Sequence, residues 1–131
     1  MTATARAIEL TQAAAQAAAE KKAEEIIALD VSDRLALTDV FLVLSGRTDR
    51  QVRAIVDAVE EALLKAGAKR KLREGLEEAH WVLLDYDDVV VHVQQSEDRE
   101  FYALERLWKD CPLVPLPEDL KQVAAEAAEQ A

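Results

Sequence analysis

Cysteine is almost absent from this chain. Cys111 stands alone, which excludes an internal disulfide and any metal centre built from several thiolates. Basic residues are also scarce, 16 against 26 acidic, and the net charge of −10 argues against direct, phosphate-driven binding of nucleic acid. No apolar run approaches the roughly 20 residues that a membrane-spanning helix needs. The first residues, Met1 to Ala19, are alanine-rich and polar rather than basic and then apolar, so a cytoplasmic location is expected. Aromatic residues make up only 5% of the chain, so the placement of each carries information.

What is present is the balance of a globular protein. The chain has 131 residues, half of them hydrophobic and 32% charged, enough for a single domain around one core. Charge is unevenly spread. Residues 76–110 carry ten acidic and three basic side chains, so most of the negative excess lies in one stretch. Such a stretch is either a solvated surface or a field that steers a basic partner.

Thr4 to Glu25 is rich in good helix formers, but its apolar face is thin: Ile8, Leu10 and otherwise alanine. Ile26 to Leu29 reads as a short strand, and Val40 to Leu44 as a buried one. After the turn at Ser45 and Gly46, Thr48 or Asp49 caps a helix with Val52, Ile55, Val59 and Leu63 on one face, ending at Ala66-Gly67. A strand, a helix and further strands make a crossover unit, which predicts an α/β fold. The basic cluster Lys69, Arg70, Lys71 and Arg73 reads as a solvated loop or a short edge strand.

Trp81 to Val93 predicts a hairpin. A two-residue turn at Tyr86 and Asp87 sets Trp81 opposite His92 and Leu84 opposite Val89. Alternation then gives an aliphatic core face of Val82, Leu84, Val89, Val91 and Val93. The other face carries Trp81, Leu83, Asp85, Asp88, Val90 and His92, a mixture suited to a contact surface. Ser96 starts a third helix whose stripe of Phe101, Leu104 and Trp108 belongs to the core. Pro112, Pro115 and Pro117 enforce an extended run, and the polar tail of 118–131 is a loose helix or disordered.

Candidate chemistry is thin. Asp85, Asp87 and Asp88 could hold magnesium, but aspartate is favoured in hairpin turns and the turn reading is preferred. Ser45-Gly46 is a single glycine without the lysine of a phosphate loop, and so an ordinary strand-to-helix turn. His80 and His92 are better read as a loop residue and a sheet-face residue than as a two-histidine site. Cys111 reads as a structural thiol. No nucleophile–base arrangement can be assembled. No catalysis, cofactor or metal is expected.

Several segments, in their order and spacing, resemble one family. They are Ala28 to Ser32, Thr38-Asp39 with Phe41, Ser45-Gly46 with Asp49 to Gln51, Trp81 to Tyr86 through Asp88 to His92, and Glu100 to Trp108. Together they are similar to the ribosomal silencing factors (RsfS, or iojap-like proteins). Asp87 departs from the pattern, standing where the family usually has a turn glycine, and Gln94 to Ser96 replaces a more acidic stretch.

The resemblance implies a family domain over 21–117, with 1–20 as the N-terminal part of the alanine-rich helix. It implies a small mixed β-sheet packed with α-helices, of nucleotidyltransferase-like topology but without that activity. It also implies a factor that binds the large ribosomal subunit through the basic ribosomal protein L-fourteen, blocks joining of the small subunit and represses translation when nutrients are scarce. Homodimers are implied too. A role in large-subunit assembly and, less favoured, a nucleotidyltransferase-like enzyme are the alternatives. The partner surface expected from the mixed face and the third helix comprises Trp81, Asp85, Tyr86, Asp88, Glu100, Tyr102 and Glu105. Trp81 and Tyr102 act as anchors there, and the carboxylates read lysine and arginine.

Overall fold

The protein is described by a computed structural model covering residues 2–102, 108–117 and 120. In chain order its elements are α1 (Ala5–Glu20), β1 (Glu24–Asp30), β2 (Val40–Gly46), α2 (Asp49–Lys65), β3 (Leu72–Glu74), β4 (Trp81–Asp85), β5 (Val89–Gln95) and α3 (Ser96–Tyr102). The strands form a five-stranded mixed sheet in the order β1-β2-β5-β4-β3. The two most buried strands, β2 and β5, lie side by side at its centre and are parallel, while every other neighbouring pair is antiparallel. A parallel pair needs a crossover, and α2 supplies it.

Both long helices pack on one face of the sheet. Thr48 caps α2, its side-chain oxygen accepting from the Gln51 amide, and Val52, Ile55, Val56, Val59 and Leu63 are buried beneath it. Burying side chains of this size stabilises the fold by about 1.5–3 kcal/mol each. The thin face of α1 turns out to be a device for close approach: Ala7, Leu10, Ala14, Ala15 and Ala18 all enter the same core. Thr11, buried among them, satisfies its hydroxyl by donating to the Ala7 carbonyl at 2.7 Å. The sheet contributes Val40, Leu42, Leu44, Val82, Leu84, Val89, Val91 and Val93 to this core, so the aliphatic face expected of the hairpin is the core face.

The hairpin register differs from the expected one. Trp81 pairs with Gln94, Leu83 with His92 and Leu84 with Val91, a slip of two residues. A slip of two keeps every side chain on its own face, which is why the face assignment survives. The turn moves to Asp87 and Asp88. Asp87 takes the left-handed conformation (φ +65°), its amide donates to Asp85 Oδ1, and the Asp88 amide donates to the Tyr86 carbonyl. Aspartate tolerates this geometry better than most residues, which accounts for its standing in a glycine position. The basic cluster does form an edge strand, the exposed β3.

Among the described residues, the opposite face of the sheet is covered only in part. Ile27, Leu29, Val31, Val43 and Cys111 make a small second cluster, with Leu35, Phe41, Trp81 and Trp108 packed against it. Trp108 therefore lies in this cluster and not in the main core, while Phe101 and Leu104 lie outside the residues whose side chains are described. Burial pushes the Cys111 thiol above its ordinary pKa, consistent with a structural role. Among the described residues, no helix is long and apolar enough to cross a membrane.

Candidate functional site: the open face of the sheet

Past this second cluster, towards β4 and β3, none of the described elements packs over the sheet face. Trp81, Leu83 and Asp85 alternate along β4 and are each half-buried, whereas Val82 and Leu84 between them are fully buried. Next to them on β5 stand Val90 and His92, and on β3 the exposed Leu72 and Glu74. A large, partly exposed indole on a flat strand face has the character of a binding anchor.

The segment from Gly75 to His80 presents Trp81. Gly75 has φ +87°, and a Cβ there would meet the Trp81 carbonyl oxygen at 2.1 Å. The chain turns back with the Ala79 amide on the Gly75 carbonyl, and Ala79, fully buried, is itself left-handed (φ +56°). Gln95 holds the end of the loop, its side-chain amide donating to the Ala79 carbonyl and its backbone amide to the His80 carbonyl.

Two hollows are lined in part by Trp81. One, of about 660 Å³, is lined by Arg53, Arg73, Glu77, Glu78, His80 and Trp81 among others. The other, of about 330 Å³, is lined by Glu74, Gly75, Trp81 and Leu83. The guanidinium groups are engaged within the fold, Arg73 on Glu60 at 3.0 Å and Arg53 on the Glu77 carbonyl at 2.5 Å. Glu74, Glu77 and Glu78 are exposed, so carboxylates surround the anchor from a segment the sequence reading had not singled out.

The expected site residues fare unequally. Trp81 and Asp85 lie on the open face, and Asp88 is exposed at the hairpin tip. Tyr86 does not belong there. It is only 7% exposed and lies in the main core, because it continues the alternation of Val82 and Leu84 past the end of the strand. Burial raises its phenol pKa, with the Glu60 carboxylate adding to the effect, which places the ring on the α2 side of the sheet. Glu105 lies outside the described residues, as do the side chains of Glu100 and Tyr102.

Among the described residues, the groups weighed for other chemistry have partners within the fold. Ser45 is fully buried and accepts from Arg99 Nη1 at 2.6 Å, while a Cβ at Gly46 would stand 3.2 Å from Val52 and Ile55. That glycine is needed for close packing of α2, not for a phosphate. Asp87 faces Lys71 at 3.6 Å, and Asp85 serves the turn. The histidines part ways. His80 Nδ1 meets Asp98 Oδ2 at 2.7 Å, which raises its pKa, and Glu97 stands nearby. His92, by contrast, is 5% exposed and receives the indole N–H of Trp81 on its Nδ1 at 3.1 Å. The expected register had set these two residues directly opposite each other; the true register makes their contact a diagonal one, and the hydrogen bond itself was not foreseen.

The fold and the face define a single-domain mixed α/β protein that presents an aromatic, carboxylate-rimmed sheet surface. A family model described as "Ribosomal silencing factor during starvation" (RsfS) matches residues 4–131, and the chain belongs to this family. It is 42% identical over 108 residues to the ribosomal silencing factor RsfS of Halalkalibacterium halodurans, covering 82% of this chain and 92% of that protein. A crystal structure of a protein from Chromobacterium violaceum superposes with a TM-score of 0.74 at 38% identity, over 77% of this chain and 84% of that one. More distantly, the mouse "Mitochondrial assembly of ribosomal large subunit protein 1" is 30% identical over 110 residues, 82% of this chain and 47% of that protein.

Proposed function

We propose that this chain is a ribosomal silencing factor that binds the large ribosomal subunit in the cytoplasm through the basic ribosomal protein L-fourteen. By occupying the surface where the small subunit docks, it blocks subunit joining and represses translation, with the effect felt under nutrient limitation. The mechanism is steric and has no chemical step. One copy acts per subunit, and a homodimer formed through the same face would compete with binding.

The observation that carries this reading is Trp81, half-buried on an open strand face and bordered by Asp85, Glu74, Glu77 and Glu78. An indole supplies contact area at low entropic cost, and a carboxylate rim selects a partner rich in lysine and arginine. A ribosomal protein with a basic, partly apolar surface has the complementary chemistry. The name of the mouse relative favours a second reading, in which the same contact serves large-subunit assembly.

Sucrose-gradient sedimentation of purified subunits, with and without the protein, tests both. Co-migration with the large subunit and loss of joined ribosomes is the expected result. Co-migration without that loss would favour assembly, and absence of co-migration would overturn both readings.

A further inference from the structure

A histidine stands where a sheet of aliphatic residues would be expected. On the open face of β5, His92 follows Val90 and is almost completely buried. Its Nδ1 accepts the Trp81 indole N–H, so the ring proton must reside on Nε2. That second nitrogen is buried and has no hydrogen-bond partner. An unpartnered buried N–H is destabilising, and a valine or leucine at this position would avoid it. The ring is therefore held here at a cost to the fold.

Its surroundings fix the imidazole in place. Phe41 packs edge-on against His92 at 5.0 Å between ring centroids and 68° between planes. Trp108 packs in the same manner against Phe41 at 5.2 Å and 78°. Trp81 is the fourth ring, 5.9 Å from His92. Along the ladder Trp81 faces Gln94 and His92 faces Leu83, so the indole must lean diagonally along the strands to reach Nδ1. Such a diagonal contact lies within reach of aromatic side chains. A hydrogen bond in that direction selects one rotamer of an otherwise half-exposed ring.

We infer that His92 is a positioning residue for the binding anchor, its Nδ1 fixing the rotamer in which Trp81 meets its partner. The functional part of this inference rests on the proposed role of Trp81; the positioning itself does not. Burial supports it by keeping the imidazole neutral, with its pKa lowered to about 4, so Nδ1 is an acceptor at neutral pH.

The test compares His92→Leu, which fills the space without an acceptor, with His92→Asn, whose Oδ1 restores an acceptor at the same branch of the side chain. Both are placed in a Trp108→Phe background, so that Trp81 is the sole tryptophan and is excited selectively over the two tyrosines. The leucine variant is expected to fold normally by circular dichroism, to show a red-shifted emission and at least twofold greater acrylamide quenching, and to bind large subunits at least tenfold more weakly. The asparagine variant is expected to restore all three properties towards those of the parent. Unchanged quenching and emission in the leucine variant would overturn the positioning role. Altered fluorescence with undiminished binding would overturn the functional part of the inference, provided that Trp81→Ala abolishes binding. If Trp81→Ala binds normally, the ribosome-facing assignment of the surface fails instead, while the fluorescence still decides whether His92 orients the indole.

Discussion

Gly75 lies so close to Trp81 that a Cβ on the glycine would stand 2.1 Å from the tryptophan's carbonyl oxygen. The oxygen belongs to the backbone and cannot swing away. The loop before β4 is thus shaped around the very residue that the open face presents, and its geometry depends on the glycine twice, through this approach and through φ +87°.

Gly75→Ala is therefore expected to destabilise the protein by about 2–4 kcal/mol, combining the left-handed penalty with steric overlap. Urea denaturation followed by circular dichroism would measure it. Gly67, also left-handed (φ +83°) but with only the end of Arg6 near its Cβ position, is the natural comparison. Gly67→Ala should cost about 1 kcal/mol, from backbone conformation alone.

Trp81 and Tyr86 should separate binding from folding. Trp81→Ala is expected to weaken binding to the large subunit by about 2 kcal/mol or more, if the half-buried ring is the proposed anchor. Tyr86→Ala should instead cost about 3 kcal/mol of stability, because it empties space in the main core. Titration calorimetry and thermal unfolding on both variants would check the pair. Equal losses of affinity, with both proteins fully folded, would return Tyr86 to the contact surface.

Carboxylates at the rim should act on rate more than on affinity. Glu78→Lys, beside the larger hollow, is expected to slow association and to flatten its dependence on salt, leaving dissociation nearly unchanged. Stopped-flow binding at two ionic strengths would show it.

The two histidines oppose each other in acid. Burial holds His92 down at about 4 from its ordinary 6.5. As pH falls from about 6.5 to about 4, the unfolded chain takes up a proton that the folded ring refuses, so the fold loses stability across that window. The loss reaches at most about 3 kcal/mol. His80 is shifted the other way by its hydrogen bond to Asp98. Its contribution is fully present below the ordinary pKa and fades as pH rises through the raised one. His92→Asn should thus flatten the acid limb of the stability profile, whereas His80→Asn should affect only the neutral limb. Urea midpoints between pH 4 and 8 would separate them.

Much of this architecture was legible because alternation is a strong signal. Val82, Leu84, Val89, Val91 and Val93 announce a buried face whatever the register, since a slip of two residues leaves parity intact. The register itself was not legible, because Asp87 has no glycine to mark the turn and Tyr86 resembles a turn residue until α2 is seen to pack above it. The loop before Trp81 was equally hidden. Its shape depends on left-handed Ala79, a residue type that gives no hint of that conformation. The half-buried position of Trp81 and its nearness to His92 could be read from the strand pattern, but the hydrogen bond between them could not, because its diagonal geometry depends on the true pairing.

The central claim is that the face around Trp81 blocks subunit joining. Light scattering during mixing of small subunits with large subunits preincubated with the protein tests it most directly. The wild-type protein should suppress the rise in scattering, and Trp81→Ala should restore it at the same concentration. Suppression by the alanine variant equal to that by the wild type would contradict the account.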